Sequence, residues 1–440
     1  MNPVLKGEIT ALMPDGSGCI VENNTKISVP GALPGDCVLF QIQAKSQHHP
    51  LAWAKLMKRV SPGPHHVQVP CPHQAPQRGR CAGCPLMHMD AKLQAKHKLE
   101  SVHNALKDAG IIHIQNIPYH ESPRNLHYRN RSDWVVGKTR RGKIIIGAYA
   151  ARSHDVVALS SCMVLRNELS VLLPSLAFLL NAVQIPVWPE PAGLRYISAF
   201  ANQDGDVLLD FVFAAKPPAS FEDLCQRLRK DSAIKGISYS VNDSHNNAMR
   251  IAPSISVWGK ECLPERLGRV YSELSASNFT QLNSDIASKI YEKARQWAGR
   301  CRIVWDLYCG SGAMGRNIDV QKSLYGAELS ARSIEQAKLS AKNDKFNTQF
   351  ETLDLQNYWP SFERANVILL NPPRKGLSPM VIHQLRQNPT RLIYMSCNPQ
   401  SFAQNARALS PILELTRLEA FDMLPQTLHV EVLGMFELRT

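Results

Sequence analysis

Along residues 1–60, apolar and polar positions alternate in short runs. GEITALM and ISVPGALPGDCVLFQI are broken by Pro-Asp-Gly and Pro-Gly turn signals, which predicts five or so short strands. That many strands in so short a length suit a small β-barrel. A Pro/His-rich linker, SPGPHH, and a compact cysteine segment at 71–84 follow; AKLQAKHKLESVHNALKDAG then carries a helical pattern. Residues 125 to about 270 read as mixed α+β, with strand-like runs such as KIIIGAYA and VLLDFVF. From about residue 280 the pattern alternates. IVWDLY, SLYGAEL, ANVILL, RLIYMS and VEVLGMFEL are strands, and SARSIEQAKLSAKND is a helix among them. Such alternation predicts a doubly wound, mostly parallel α/β sheet. The domains expected are therefore 1–62, a barrel; 63–270, mixed α+β; and 271–440, α/β.

Charge narrows the class of partner. The 440 residues carry 50 Lys and Arg against 37 Asp and Glu, a formal net charge of +13. A basic surface can serve solubility alone, but this excess favours a polyanion, because each phosphate neutralised releases counterions. No stretch has the roughly 20 apolar residues of a membrane span, and MNPVLKGEITALMPDGSG has no apolar leader core. A cytoplasmic, membrane-free protein is expected. Its eleven cysteines then suit metal binding or catalysis better than disulfides.

After IVWDLY, the turn Cys309-Gly310-Ser311-Gly312 lets a ligand approach the backbone at the carboxyl end of a strand. Glu328 ends the next strand, where such folds hold a ribose. With Gly315 the turn satisfies G-x-G-x-x-G, so a dinucleotide is the rival ligand. The late position of the turn, and Asn371-Pro372-Pro373 after a later strand, favour S-adenosylmethionine. The order of these motifs resembles the class I methyltransferases.

In RLIYMSCNPQSFAQNARAL, Cys397 falls between a strand and a helix, at the same edge. Most cysteines are inert and buried. One reaction would need this one. Carbon 5 of uracil is a poor nucleophile until a thiolate adds to carbon 6. The resulting enolate takes a methyl group at carbon 5, and a base must then remove the carbon 5 proton. Glu431, in FDMLPQTLHVEVLGMFEL, is the candidate base; its bland alternative is a strand-edge carboxylate.

NFTQLN, WDLYCGSGAMG, NPPRKG, YMSCNPQSFAQNA and DMLPQTLHVEVL stand in the order found in the RNA uracil-C5 methyltransferases. The chain resembles that family over essentially its whole length, most strongly from about 275 to 436, and within it the bacterial 23S rRNA enzymes. The resemblance implies Cys397 as nucleophile and Glu431 as base. It implies S-adenosylmethionine contacts from Gln281, Tyr308, Gly310, Glu328 and Asp354, with Asn371 between cofactor and target base. Most members have Asp where this chain has Asn371; Asn keeps hydrogen bonding and loses the charge.

PGALPGD resembles the TRAM domain, an RNA-binding barrel of the OB type. Cys71, Cys81, Cys84 and the remote Cys162 could supply four thiolates, which suit zinc or an iron–sulfur cluster. The resemblance implies a 4Fe-4S cluster, although nine residues separate Cys71 from Cys81 where the family usually has fewer. The implied architecture is a class I Rossmann-like domain behind an OB-type barrel and a mixed α+β domain carrying the cysteines. RNLHYRNRSDW and GKTRRGK mix basic and aromatic residues, as phosphate contact and base stacking require. The expected partner is RNA, 23S rRNA first and the tRNA T-loop second, and a monomer is expected.

Three other classes are weighed. Amino-methyltransferases place an aromatic residue after Asn-Pro-Pro; here Arg374 follows. Cytosine-C5 enzymes place a cysteine after a proline in that motif, and NPPRKG has none. A non-catalytic RNA-binding protein would leave Cys397 and Glu431 idle.

Overall fold

The computed structural model describes residues 3–74, 79–151, 153–244, 249 and 251–439. The chain forms two compact units. The first comprises Met1–His103, Ala148–Val157 and Gln426–Leu428; the second comprises the rest.

In the first unit, the six strands are β1 (Val4–Glu8), β2 (Ala11–Leu12), β3 (Gly18–Glu22), β4 (Thr25–Val29), β5 (Cys37–Lys45) and β6 (Leu51–Ser61). They run in the order β1-β5-β6-β4-β3-β2. The two outer strands are successive halves of one stretch: β1 pairs with β5 and β2 with β3. One stretch of chain thus serves both edges, which spares the sheet exposed edge hydrogen-bonding groups. Ile9, Ile20, Ile27, Val29, Val38 and Phe40 fill its interior. Gly18 is required there, because a Cβ would lie 2.8 Å from the Ala32 carbonyl oxygen. Buried Asp36 accepts from Leu33 N (2.9 Å), Gly63 N (2.7 Å) and Arg59 Nε (3.0 Å). Burial opposes its charge, but these donors together with His66 hold its carboxyl below the usual value.

Next come α1 (Ala91–Asp108), β7 (Tyr119–His120), β8 (Arg131–Lys138), β9 (Ile144–Tyr149), β10 (Val156–Ala158), α2 (Asn167–Ala182), β11 (Leu194–Ala201), β12 (Val207–Phe213), α3 (Ser220–Leu228), β13 (Ile234–Val241) and β14 (Ile255–Gly259). Strands β9-β8-β11-β12-β13-β14 are neighbours in that order. Every residue of β11 and β12 is buried. Their period-2 alternation sends Ile197, Ala199, Leu209, Phe211 and Phe213 into one core with Leu169, Leu173 and Leu176 of α2 and Leu224 of α3. The opposite face carries a polar row, Asp133–Ser198–Asp210–Ser238, each residue directly across from the next.

The hairpin β15 (Leu263–Leu267) and β16 (Val270–Leu274) leads into the remaining elements: α4 (Ser284–Ala298), β17 (Arg300–Leu307), α5 (Ala313–Arg316), β18 (Asp319–Glu328), α6 (Ala331–Ser340), β19 (Asn347–Thr352), β20 (Val367–Leu370), α7 (Pro379–Gln387), β21 (Arg391–Ser396), α8 (Pro399–Leu409), β22 (Leu413–Phe421) and β23 (Glu431–Leu438). The sheet order is β19-β18-β17-β20-β21-β23-β22-β7. β19, β18, β17, β20 and β21 are parallel, and β23 runs antiparallel to both its neighbours. The parallel strands therefore deliver their carboxyl ends to one edge, and β23 starts at that same edge. Val304, Val367, Leu369, Ile393 and Met395 stack through the middle of the sheet, and α4 adds Ile286, Ile290 and Ala294.

The central and C-terminal sheets are joined within the second unit by a buried polar network. Arg166 Nη2 lies 2.6 Å from Glu265 Oε1, while Gln203 N and Ser284 Oγ also donate to Glu265. Among the described residues no helix is long and apolar enough to cross a membrane.

Candidate active site

The site grows from the carboxyl edge of the large sheet. β17 delivers Asp306 and then Tyr308, whose φ of 61° lies in the left-handed region. Tyr308 N and Cys309 N both donate to Ala327 O of β18 (2.8 and 3.2 Å), which turns the chain sharply across the strand end. Gly310 and Gly312 continue with φ of 53° and 71°. A Cβ on Gly312 would meet the Phe350 ring at 2.8 Å, whereas one on Gly310 would project into open space. The turn is thus packed on one side and open on the other.

Glu328 closes it. Its carboxylate accepts from Gly310 N (3.3 Å) and Ser330 N (3.0 Å), so the acid at the end of β18 is aimed at the glycine turn. Asp354, past the end of β19, accepts from Gln356 N and Asn357 Nδ2. Burial, then Asp354 and Glu328, push the Tyr308 phenol up to about 12. Gly310, Tyr308, Glu328 and Asp354, expected from sequence at one ligand site, are gathered here. Asn371 follows β20, and its N–H donates to Leu307 O (3.3 Å).

Gln281 arrives from another direction. The segment Asn278–Asn283 is clamped by β8 and the residue before it. Asn130 Nδ2 donates to Gln281 O (3.0 Å) and to Ser284 Oγ (3.0 Å), Asn130 N donates to Leu282 O, and the Arg131 guanidinium holds Asn278 O. Asn283 then caps α4 by accepting from Ile286 N. Next to Gln281, the Thr280 hydroxyl is buried with no hydrogen-bond partner among the described residues. A buried hydroxyl left in this way suits a site completed by a ligand.

The expectation for one basic–aromatic run is corrected. Tyr128, Asn130, Arg131 and Trp134 of RNLHYRNRSDW are buried, at 1%, 0%, 7% and 2% exposure, so these side chains are structural rather than RNA-facing. Basic and aromatic composition is the same whether such groups meet phosphate or backbone carbonyls. GKTRRGK does keep Arg140, Arg141 and Lys143 exposed at the tip between β8 and β9.

At the far side of Asn371 stands Cys397. Ser396, the last residue of β21, pairs with Val432, so Cys397 and Glu431 each adjoin the last pair of that ladder, and the Glu431 charge acts on the Cys397 thiol. Asn398 caps α8 by accepting from Gln400 N, with Pro399 at the first helical position. Its Nδ2 also donates to Arg374 O (3.0 Å), tying the Asn-Pro-Pro-Arg loop to the cysteine turn. Gly376 completes that loop with φ of 79°, and a Cβ there would lie 2.4 Å from Asn405 Oδ1.

Electrostatics mark both groups. Burial pushes the Cys397 thiol up to about 11, the charge of Glu431 adds to the rise, and Arg374 opposes it. Burial alone pushes Glu431 up to about 8. A carboxyl with that affinity is a competent proton acceptor near neutral pH. Sequence reasoning named Asp306 only within a motif. It is fully buried, burial raises its carboxyl to about 7, and its Oδ2 accepts from Gly315 N (2.9 Å). A carboxylate immediately before a glycine turn was the available signal.

The cysteines expected as metal ligands are spread over both units. Cys71, Cys81 and Cys84 belong to the first unit and Cys162 to the second. Among the described residues no three His, Cys, Asp or Glu side chains come together as a metal site. The segment from Cys71 to Cys84 shows only turns and isolated bridges, and residues 75–78 within it lie outside the described residues. No step below passes through a cluster.

The fold and site define a class I, S-adenosylmethionine-dependent RNA methyltransferase. Residues 327–439 match the family model described as tRNA (Uracil-5-)-methyltransferase. A Staphylococcus epidermidis protein described as an uncharacterized RNA methyltransferase is 29% identical over 99% of this chain and 97% of its own. A Halalkalibacterium halodurans protein of the same description is 27% identical over 100% and 98%. The crystal structure of Pyrococcus abyssi tRNA (uracil-54, C5)-methyltransferase in complex with S-adenosyl-L-homocysteine matches the fold with a TM-score of 0.76. That match is 23% identical over 98% of this chain and 100% of that one. The C-terminal residues 327–439 are thus similar to the uracil-5-methyltransferase family, and the relatives matched over nearly the whole chain are described as RNA methyltransferases.

Proposed function

We propose that the protein methylates carbon 5 of a uridine in RNA through a covalent adduct on Cys397, with Glu431 as the base. The observation that carries this reading is the placement of Cys397 and Glu431 next to the last β21–β23 pair, Ser396–Val432, with the Glu431 charge acting on the thiol, at the sheet edge that also bears the glycine turn. S-adenosylmethionine supplies an electrophilic methyl group on a sulfonium. Glu328 and the Gly310 turn would hold its ribose and backbone. Tyr308, Asp354, Gln281 and Asn371 would line the remainder, Asn371 next to the uracil.

In the reaction, the Cys397 thiolate adds to carbon 6 of uracil and the 5,6 double-bond pair moves into an enolate. Carbon 5 then takes the methyl group, and the carbon–sulfur pair leaves with the sulfur. Glu431 accepts the carbon 5 proton. The electrons freed restore the double bond and expel the thiolate, so no external oxidant or reductant is needed. A uridine stacked in a helix is out of reach of Cys397, so the target lies in a loop or is flipped out.

For the RNA, the bacterial 23S rRNA reading rests on the TRAM-like PGALPGD segment, the cysteine segment and Asn371. The closed six-stranded sheet of residues 4–61 supports an OB-type barrel there. The domain division in this reading is 1–62, 63–270 and 271–440. A tRNA T-loop uridine is the second reading, favoured by the family description and by the tRNA enzyme whose fold matches. A 4Fe-4S cluster on Cys71, Cys81, Cys84 and Cys162 keeps its support in the sequence pattern alone. Metal binding can gather ligands from a loosely structured segment. Iron and sulfide in stoichiometric amounts in anaerobically prepared protein, lost on Cys84→Ser, would support it; a zinc-loaded or metal-free protein would remove it.

The test is trapping with 5-fluorouridine-substituted 23S rRNA and tRNA in the presence of S-adenosylmethionine. Fluorine at carbon 5 cannot leave as a proton, so the adduct stalls. A denaturing gel should show a protein–RNA species that Cys397→Ala abolishes while donor binding persists. Glu431→Gln should accumulate the adduct even with ordinary uridine. Absence of any shift with either RNA, despite donor binding, would overturn the mechanism, and the trapped RNA would decide the substrate.

A further inference from the structure

The opposite edge of the large sheet, where the parallel strands begin, has a feature that methyl transfer does not use. A groove of about 660 Å³ runs across the starts of β17, β20 and β21 and the end of β23. Its charged lining is Arg300, Arg302, Arg364 and Arg391 against Glu437 alone. Arg391 lies 3.6 Å from Glu437 in an exposed pair, which contributes little. Arg300, Arg302 and Arg364 are exposed and have no acidic partner among the described residues.

The floor of the groove is rigid. Asn366 N donates to Ile303 O (2.9 Å) and Asn366 Oδ1 accepts from Ile303 N (2.9 Å), locking β17 to the residue before β20. Trp305 Nε1 donates to Glu363 O (2.8 Å) and so fixes the segment that carries Arg364. Unpaired cations are therefore displayed from fixed backbone, and each guanidinium presents a planar fork that matches phosphate oxygens. Small-molecule pockets are lined mostly by apolar side chains, and this lining is polar and cationic.

We propose that this groove is a second docking site for the RNA backbone, gripping a part of the substrate distant from the target uridine. β21 begins at Arg391 and Cys397 follows its last residue, so the two ends are roughly 20 Å apart along the strand. The nucleotides held here are therefore not the immediate neighbours of the base at Cys397. The contact is read through phosphates, independent of sequence, and adds to the salt dependence of binding. It rests on the RNA-methyltransferase assignment but not on the identity of the methylated position.

The experiment uses the full chain and the double variant Arg302→Ala/Arg364→Ala. Neither side chain makes a hydrogen bond or ion pair among the described residues, so the melting temperature should stay near the wild-type value. Binding is measured to a uridine-free RNA oligonucleotide, which lacks any methylatable base, over a series of salt concentrations. The slope of log affinity against log salt should fall by about one for each arginine removed, with affinity at low salt weaker by roughly tenfold. Methylation of a uridine hairpin too short to span both edges should be unchanged. An unaltered slope and affinity would overturn the proposal, as would a matching loss of short-hairpin methylation, which would place the arginines at the reaction. Weaker binding of polyglutamate with RNA binding untouched would assign the groove to an acidic protein and overturn it too. If the wild type methylates no uridine at all, the mechanism fails separately and the slope still decides this groove.

Discussion

Cys397 and Glu431 adjoin the last pair of the β21–β23 ladder, Ser396–Val432, and the charge of Glu431, the first residue of the reversed strand β23, acts on the Cys397 thiol. Because β23 runs against its neighbours, its beginning meets the carboxyl end of β21. Two groups that act on opposite ends of one carbon–carbon bond in the proposed mechanism are thereby held at the ends of adjacent strands.

Glu431 must lose its proton before it can take one from carbon 5. Burial raises it to about 8, so its base form falls tenfold for each unit below that value. Release of methylated RNA in a single turnover should rise with pH through about 8. In Glu431→Gln that limb should be lost and release should stall, while adduct formation continues. The same substitution removes a negative charge that raises the thiol, so the midpoint for alkylation of Cys397 should move below the wild-type value. A midpoint that stays in place would separate the two groups.

Stability should fall as the solution becomes alkaline. Glu431 is raised from 4.5 to about 8 and Asp306 from 3.8 to about 7, both by burial. The folded chain thus binds more protons than the unfolded one between these values. The stability they allow is fully present below about 4 and is lost as pH rises through 7 to 8. Glu431→Gln should be more stable than wild type at pH 8 and should converge with it in acid, as followed by thermal or denaturant melts.

Asp306 supports the glycine turn through Gly315 N. Asp306→Ala leaves that buried donor unpaired, which costs about 1–3 kcal/mol. It should weaken S-adenosylmethionine binding in calorimetry by roughly tenfold. Asp306→Asn keeps an acceptor and matches a carboxyl already half-protonated near neutrality, so it should bind the donor nearly as wild type does. Equal losses in both variants would mean that the charge, not the hydrogen bond, matters.

Glu265 is fully buried between Arg166, Gln203 N and Ser284. Glu265→Ala would strand the Arg166 cation and should cost about 3–5 kcal/mol in a denaturant melt. Arg166→Met/Glu265→Leu, which removes both charges, should recover much of that loss. Failure of the double variant to recover would show that the network specifies the packing beyond its charge balance.

Particular residues show how far sequence carries. Glu328 and the turn at Gly310 were legible because close approach to a ligand demands glycine and an acid at a fixed separation. Cys397 was legible because it sits between a strand and a helix beside motifs of known order. The buried residues of RNLHYRNRSDW were misread. Arg131 spends its charge on the Asn278 carbonyl, and the pattern of the run carries no record of that partner. Asp306 was passed over because its function appears only once its burial is known. The arginine groove was invisible, since Arg300, Arg364 and Arg391 are brought together from separate strand starts.

By itself the sequence determined the alternating strands and helices of the C-terminal half, the glycine turn with Glu328, and the candidate pair Cys397 and Glu431. These depend on local periodicity, on backbone conformations that only certain residues tolerate, and on motif order, all of which are written along the chain. Only the tertiary structure decided that β23 is reversed and sets Glu431 against Cys397, that Asn130 and Arg131 clamp the Gln281 segment, and that four arginines share one groove. Burial and partner choice arise from contacts between distant segments, and those contacts set whether a charge is neutralised, raised in proton affinity or left free for an RNA phosphate.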